Sequence, residues 1–210
     1  MNYFSQSSKR AFDIVASATG LLVIWPLLLG ICLTVSIESA GPSLFKQERV
    51  GKGYRRFKLL KFRTMAHGNH GAEITCGDDA RITRLGSFLR RLKLDELPQL
   101  WNVLRGDMSF VGPRPEVSRF VDKFRKEYDD ILQVRPGLTD PASIRYRSEA
   151  EILGGVDDPL TYYETVVLPD KLNISREYVR SASLGKDFYC ILATLIAVIL
   201  PDRIKSQTHR

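Results

Sequence analysis

Two adjacent acids, Asp95 and Glu96, stand in the run RRLKLDELPQLWNVLRGDMSFVGPRPE (residues 90–116), among Arg90, Arg91, Lys93, Arg105 and Arg114. Carboxylates set among cations suit a phosphate-bearing substrate: the cations hold phosphate oxygens, and magnesium is the natural bridge between carboxylate and phosphate. The apolar residues Leu97, Leu100, Trp101 and Leu104 recur at the spacing of one helix face, which predicts a helix behind the acids. Asp95 is then expected to cap that helix, with Pro98 tolerated in its first turn and Gly106 ending it. The helix dipole would favour an ionised Asp95 by roughly 0.3–1 kcal/mol. Taken alone, though, an acidic pair at a helix start is an ordinary capping device.

The elements that must position these acids can be read outward from them. Before them, Leu85, Phe88, Leu89 and Leu92 mark one face of a basic amphipathic helix capped by Thr83, suited to lie in a membrane interface. Earlier, residues 44–50 and 54–62 read as a β-hairpin around Gly51, Lys52 and Gly53. After the acids, Pro113 and Pro115 stiffen the chain on either side of Arg114, and Arg135, Pro136 and Gly137 repeat the device. Between them, residues 117–134 read as one helix with Phe120, Phe124, Tyr128 and Leu132 on its buried face. Residues 66–79 form a Gly-rich polar loop containing His67, His70 and Cys76; too few ligands accompany them for a zinc site, and a mobile loop able to act as a lid is expected.

The chain of 210 residues, with no internal repeat, is long enough to bury a core. Its formal charge of +7 calls for an anionic partner: nucleic acid, a lipid surface or a phosphorylated substrate. No nucleic-acid-binding signature is present, and a long apolar segment argues against that class. The three cysteines do not suggest a disulfide framework, since Cys32 and Cys190 lie inside apolar runs.

That apolar segment, residues 14–37, carries no charge. As a helix it would be about 36 Å long, enough to span a membrane core of about 30 Å. Against simple spanning, Pro26 interrupts it near the middle and basic residues flank both ends: Lys9 and Arg10 before, Lys46, Arg49 and Lys52 after. A re-entrant hairpin fits as well as a spanning helix. It would free a carbonyl near Leu22, which Ser17 or Thr19 could relieve. No signal-peptidase site is evident, so the segment is expected to be retained. The final apolar run, residues 188–200, is too short to cross and is expected to pack on the domain or lie at the interface.

Taken together, KLLKFRTM (residues 58–65), LKLDELPQLWNVLRGDMSFVGPRPE (residues 92–116) and RPGLTDPAS (residues 135–143) resemble the bacterial sugar transferases known as monotopic phosphoglycosyl transferases, in order and over nearly the whole chain. The resemblance implies an α+β, helix-rich monotopic membrane protein with a re-entrant helix hairpin (residues 1–40) broken at Trp25–Pro26. A cytoplasmic catalytic domain (residues 41–210) would sit on the membrane interface, with amphipathic helices and a small β-hairpin meeting anionic headgroups. The place implied is the bacterial inner membrane, catalytic domain on the cytoplasmic face.

The resemblance also implies the reaction: a magnesium-dependent transfer of sugar 1-phosphate from a UDP-sugar to polyprenyl (undecaprenyl) phosphate, releasing UMP. Asp95 would be the nucleophile and a magnesium ligand, and Glu96 would assist the second step. Lys61, Arg63, Arg90 and Arg114 would bind substrate phosphate. After Thr139 the chain departs from the commonest family pattern, so Arg145, Arg147, Asp157 and Asp158 are only candidates for contacts to the nucleotide sugar. That departure points toward relatives of exopolysaccharide and capsule synthesis. A different class of function, a membrane-tethered scaffold for polysaccharide assembly, would bind without turnover and be indifferent to Asp95. The sequence leaves the sugar open, and the oligomeric state too, a homo-oligomer included.

Overall fold

The computed structural model of the protein describes residues 3–66 and 79–199. The expected lid with His67, His70 and Cys76 therefore lies outside the described residues. Helix α1 (Tyr3–Glu38) leads into a hairpin of β1 (Leu44–Val50) and β2 (Arg56–Phe62). Helices α2 (Arg84–Arg91) and α3 (Gln99–Arg105) follow, separated by one 3-10 turn at Leu94–Glu96. Strand β3 (Ser109–Val111), helices α4 (Ser118–Lys123) and α5 (Arg125–Ile131) and strand β4 (Gly137–Thr139) come next. The short helices α6 (Pro141–Arg145), α7 (Glu149–Gly154) and α8 (Pro159–Tyr162) then lead through a π-helical turn at Tyr163–Val167 into α9 (Leu168–Ser181) and α10 (Leu184–Ile199). The chain is helix-rich, as expected, with two small two-stranded sheets among the described residues.

The hairpin is antiparallel, with Leu44 opposite Phe62 and Val50 opposite Arg56. Its second strand starts later than expected, because Tyr54 belongs to a 3-10 turn and holds a positive φ of 62°. The second sheet pairs β3 and β4 in parallel, Ser109 opposite Gly137 and Val111 opposite Thr139. Two glycines permit this pairing to continue into the proline turns. A Cβ on Gly112 would lie 2.4 Å from the Arg135 carbonyl oxygen, and one on Gly137 would lie 2.1 Å from the Gly112 nitrogen. Only a residue without a side chain allows backbones so close.

Pro26 is not a gap in α1: helical structure continues through it, and the proline is a missing donor inside one 36-residue helix. Nor does Ser17 relieve Leu22, since its hydroxyl donates to the carbonyls of Asp13 and Ile14. Both halves of α1 are tied to the domain. In the first half, Arg10 donates to the Val103 and Leu104 carbonyls, and Asp13 accepts from Ser109 Oγ and the Phe110 N–H. In the second half, Ile31 and Val35 pack with Phe62 and Leu89. Between these anchors Leu22, Val23, Trp25 and Leu27 are exposed. Among the described residues α1 is the one helix long and apolar enough to cross a membrane.

The expected single helix over residues 117–134 is two, because Phe124 leaves helical geometry (φ −112°, ψ 39°) between α4 and α5. Its apolar stripe is nevertheless buried as expected at Phe120, Tyr128 and Leu132, in a core shared with α9. The last helix begins before residue 188, at Leu184. It buries Cys190 and Ala197 against the domain and leaves Phe188, Tyr189, Leu192, Leu195 and Ile196 outside.

Candidate active site

The acids lie in a different local structure from the expected one. Thr83 caps α2 as expected, its hydroxyl accepting from Gly86 N at 2.9 Å. Lys93 then takes a left-handed conformation (φ 57°), which costs a non-glycine residue about 1–2 kcal/mol and turns the chain sharply. Asp95 and Glu96 fall in the 3-10 turn that follows, and α3 starts after Pro98 with no side-chain cap. Asp95 is thus not a helix cap. Gly106 does end α3, in the left-handed conformation expected of it.

Asn102 fixes α3 on β2. Its side-chain oxygen accepts from Leu60 N at 3.0 Å and its amide donates to the Lys58 carbonyl at 2.9 Å, so the side chain acts as one more strand segment. That registration brings Lys61 to the turn: its Nζ donates to Glu96 Oε1 at 3.0 Å. Arg114, delivered by the proline-stiffened segment after β3, donates to the same oxygen at 2.5 Å. Arg90 reaches in from α2, held by its Nε to Thr64 Oγ1 at 2.8 Å.

The two neighbouring acids are therefore treated in opposite ways. For Glu96 burial alone would raise the pKa, but Arg114, Lys61 and Lys93 outweigh it and hold the carboxyl well below its ordinary value. Asp95 is only 6% exposed, and its Oδ1 is buried with no hydrogen-bond partner among the described residues. Burial first, then the charge of Glu96, push its pKa up, against a smaller pull from Lys61, Lys93 and Arg90. Desolvation overrides the dipole stabilisation expected from sequence. Lys61, beside them, has its pKa lowered by burial despite the attraction of Glu96.

A buried carboxylate oxygen without a donor costs about 1–3 kcal/mol. It has the character of a ligand position. Among the described residues no group of three or more His, Cys, Asp or Glu side chains could hold a metal. One free carboxylate nevertheless fits magnesium, which commonly takes one or two protein carboxylates and completes its shell with water and substrate phosphate. Glu96 is committed to its two cations, so Asp95 is the available protein ligand.

Other expected residues lie elsewhere. Arg63 turns away from the acids to the end of α1, donating to the Ser39 carbonyl at 2.6 Å and Ser39 Oγ at 2.9 Å. Arg91 sits against the ring of Phe88, and Arg105 is at the far end of α3 beside Asp107. Arg145 is exposed and 3.5 Å from Asp170, and Asp158 caps α8 through Thr161 N. Among the described residues Arg147 and Asp157 make no hydrogen bond or ion pair with the acid pair, Asp157 being exposed on the loop before α8. Trp25 is exposed on α1 beside Pro26, and Trp101 faces outward from α3 at 53% exposure instead of joining a buried stripe.

A second charged cluster, which the sequence reading did not single out, stands behind Arg114. Glu116 accepts from Arg49 at 2.7 Å, from Tyr163 Oη at 2.7 Å and from Val117 N at 2.8 Å. Its backbone also bridges to Val50. Nearby, Lys171 donates to Glu149 at 2.6 Å and lies over the Tyr163 ring. The Glu116 carboxyl is held below its ordinary value, since Arg49 and Lys171 outweigh its burial. The cluster fixes the C-terminal side of the proline segment that carries Arg114. A charged residue placed directly after Pro115 was the one signal available for it.

The site thus sets three cations around one tied and one untied carboxylate, on a domain that holds a long apolar helix. The chain belongs to the bacterial sugar transferase family, whose profile matches residues 4–201. It is 39% identical over 201 residues to a UDP-glucose:undecaprenyl-phosphate glucose-1-phosphate transferase of Caulobacter vibrioides, covering 92% of this chain and 70% of that protein. It is 36% identical over 196 residues to the UDP-N-acetylgalactosamine-undecaprenyl-phosphate N-acetylgalactosaminephosphotransferase of Aeromonas hydrophila, covering 91% of this chain and 43% of the relative. A UDP-glucose:undecaprenyl-phosphate glucose-1-phosphate transferase of Xanthomonas campestris pv. campestris is 37% identical over 205 residues, covering 94% of this chain and 40% of that protein. The chain thus spans roughly two fifths of the length of the latter two relatives.

Proposed function

We propose that this chain is a phosphoglycosyl transferase that moves a sugar 1-phosphate from a UDP-sugar to polyprenyl phosphate and releases UMP. The observation that carries the reading is Asp95: a buried carboxylate with an unpartnered oxygen, beside three cations suited to phosphate. In the first step an Asp95 oxygen bonds to the sugar-bearing phosphorus, the bond from that phosphorus to the bridging oxygen breaks, and UMP leaves with the electron pair. In the second, an oxygen of polyprenyl phosphate attacks the same phosphorus, the bond to Asp95 breaks, and the carboxylate is restored. The two steps let a soluble and a lipid-borne substrate use one site in turn.

Lys61, Arg90 and Arg114 face the charge that develops on the phosphoryl oxygens. Glu96, held ionised by Lys61 and Arg114, is a poor proton carrier at neutral pH. Its part in both steps is to keep those two cations in place. Magnesium, held by Asp95 and substrate oxygens, would supply charge neutralisation for the departing UMP.

We also propose that α1 is re-entrant and that the domain lies on the cytoplasmic face of a bacterial membrane. Support comes from the anchoring of both halves of α1 on the same domain, with its exposed apolar stretch between them, and from the basic residues at both flanks. Detergent-solubilised protein, given magnesium, undecaprenyl phosphate and a panel of UDP-sugars, should release UMP with one of them. Release of UDP would overturn the mechanism, and membrane binding with no release from any sugar would favour a scaffold.

A further inference from the structure

Away from the acids, at the opposite end of α3, a recess of about 40 Å³ is lined by Arg10, Lys52 and Arg135, together with Lys9, Asp13 and Gln133. At about 10–15 Å³ per water position, it has room for roughly three waters or one small polyatomic ion. Its charges do not cancel. Lys9 is neutralised by Asp187 at 2.6 Å. The Asp13 carboxylate accepts from Ser109 Oγ and Phe110 N, both at 3.1 Å. Arg10, Lys52 and Arg135 make no ion pair with a carboxylate among the described residues.

The two arginines are held near one another by the same structural task. Arg10 donates through Nη1 and Nη2 to the carbonyls of Val103 and Leu104, at 2.7 and 2.8 Å. Arg135 donates through Nε to the Gly106 carbonyl at 2.9 Å. Those bonds add donors to carbonyls at the C-terminal end of α3, one of which, that of Val103, also accepts from the Gly106 N–H. They leave both Nη groups of Arg135 free of any hydrogen bond among the described residues, as the planar fork that fits a tetrahedral oxyanion in bidentate fashion. Lys52, in the turn of the hairpin, adds an exposed point charge to the lining.

We infer that this recess is a second, soluble-phosphate site: inorganic phosphate or the phosphate of a small soluble monoester binds between Arg135, Lys52 and Arg10. A soluble source is preferred over a lipid headgroup because the recess has room for one small ion. Exposed apolar residues of α1, Phe12, Ile14 and Val15, adjoin it, so competition with lipid vesicles is the arm that separates the two sources. The site does not depend on the transfer reaction proposed above.

Binding of inorganic phosphate to the purified full chain, measured by calorimetry, tests it. Arg114→Gln, which disables the phosphate-binding set beside the acids, should keep one saturable phosphate per chain. In that background Arg135→Gln and Lys52→Gln should each weaken it by about tenfold or more, the usual scale for losing a charge-assisted contact. Lys52 is exposed and holds no helix end, so its variant reports on the site even if Arg135→Gln disturbs folding. Unchanged affinity in Lys52→Gln and Arg135→Gln, or loss of all phosphate binding in Arg114→Gln alone, would overturn the inference. Competition by phosphatidylglycerol vesicles, absent with neutral vesicles, would overturn the soluble source and assign the recess to headgroups.

Discussion

Two carboxylates on either side of the Arg114 segment show how differently one chain can treat similar groups. Both carboxylate oxygens of Glu116 are answered: Arg49 and Val117 N donate to one and Tyr163 to the other. Asp95, well before that segment in the chain, is buried more deeply and has an oxygen with no partner among the described residues. A satisfied buried charge makes a scaffold, because any displacement would leave costly unpaired groups. An unsatisfied one stores that cost where a ligand can relieve it. Glu96 stands between the two cases, tied to cations that the proposed chemistry would also use.

The comparison is sharpest when the unsatisfied group is removed without changing its shape. Asp95→Asn should lower UMP release by at least about 10³-fold, roughly 4 kcal/mol of lost barrier lowering. Its melting temperature should hold or rise, since a buried neutral amide carries a smaller desolvation penalty than a buried carboxylate. A variant within tenfold of wild-type turnover would sink the nucleophile assignment. Arg49→Met should behave in the opposite sense. It strands Glu116 among buried groups and should cost about 2–4 kcal/mol of stability, seen in chemical denaturation, with its effect on turnover following from a loosened Arg114. If Arg49→Met left stability unchanged, the scaffold role of the Glu116 cluster would fail.

Acid titration separates the two carboxylates again. The pKa of Glu116 is depressed in the folded protein, so its stabilisation is present above its unfolded value of 4.5 and is lost as pH falls through the lower folded value. The acid loss of stability should therefore be shallower in Arg49→Met than in wild type. Asp95 is shifted the other way, upward from 3.8. Since its ionised form attacks, turnover should decline on acidification at a pH above that ordinary value while the fold is still intact. Coincident loss of activity and fold would contradict this separation. The smallest effect concerns the helix that carries Arg90: Thr83→Ala removes the cap of α2 and should cost about 1 kcal/mol, with little change in turnover.

Much of the local structure was legible because it depends on nearest neighbours. Thr83 could cap a helix wherever that helix packed, Gly106 could end one, and the Gly51-Lys52-Gly53 run between two short segments marked a hairpin turn. The apolar stripe at Phe120, Tyr128 and Leu132 identified a buried face even though the helix carrying it is broken at Phe124. What local pattern could not settle was direction. Trp101 fits a helical stripe by spacing yet points outward, because the opposite face of α3 is claimed by Asn102 and Val103 against β2. Arg63 and Lys61 share one motif, but Lys61 near the end of β2 and Arg63 just past it are separated by what meets them: Glu96 for one, the end of α1 for the other.

The residue types and their order determined that this chain concentrates acids and phosphate-seeking cations behind an apolar N-terminal segment, and that most of its helices and its hairpin form where they do. These follow from propensities, caps and periodicities written in short stretches. Which acid stays free and which is tied was decided by tertiary structure alone, because it turns on Lys61 from β2 and Arg114 from beyond β3 arriving at one oxygen of Glu96. The same holds for the shift of Asp95: sequence placed it at a helix start, where a dipole favours its charge, and folding placed it in a turn where loss of water outweighs that dipole. Desolvation depends on everything packed around a group, and no local run of residues encodes it.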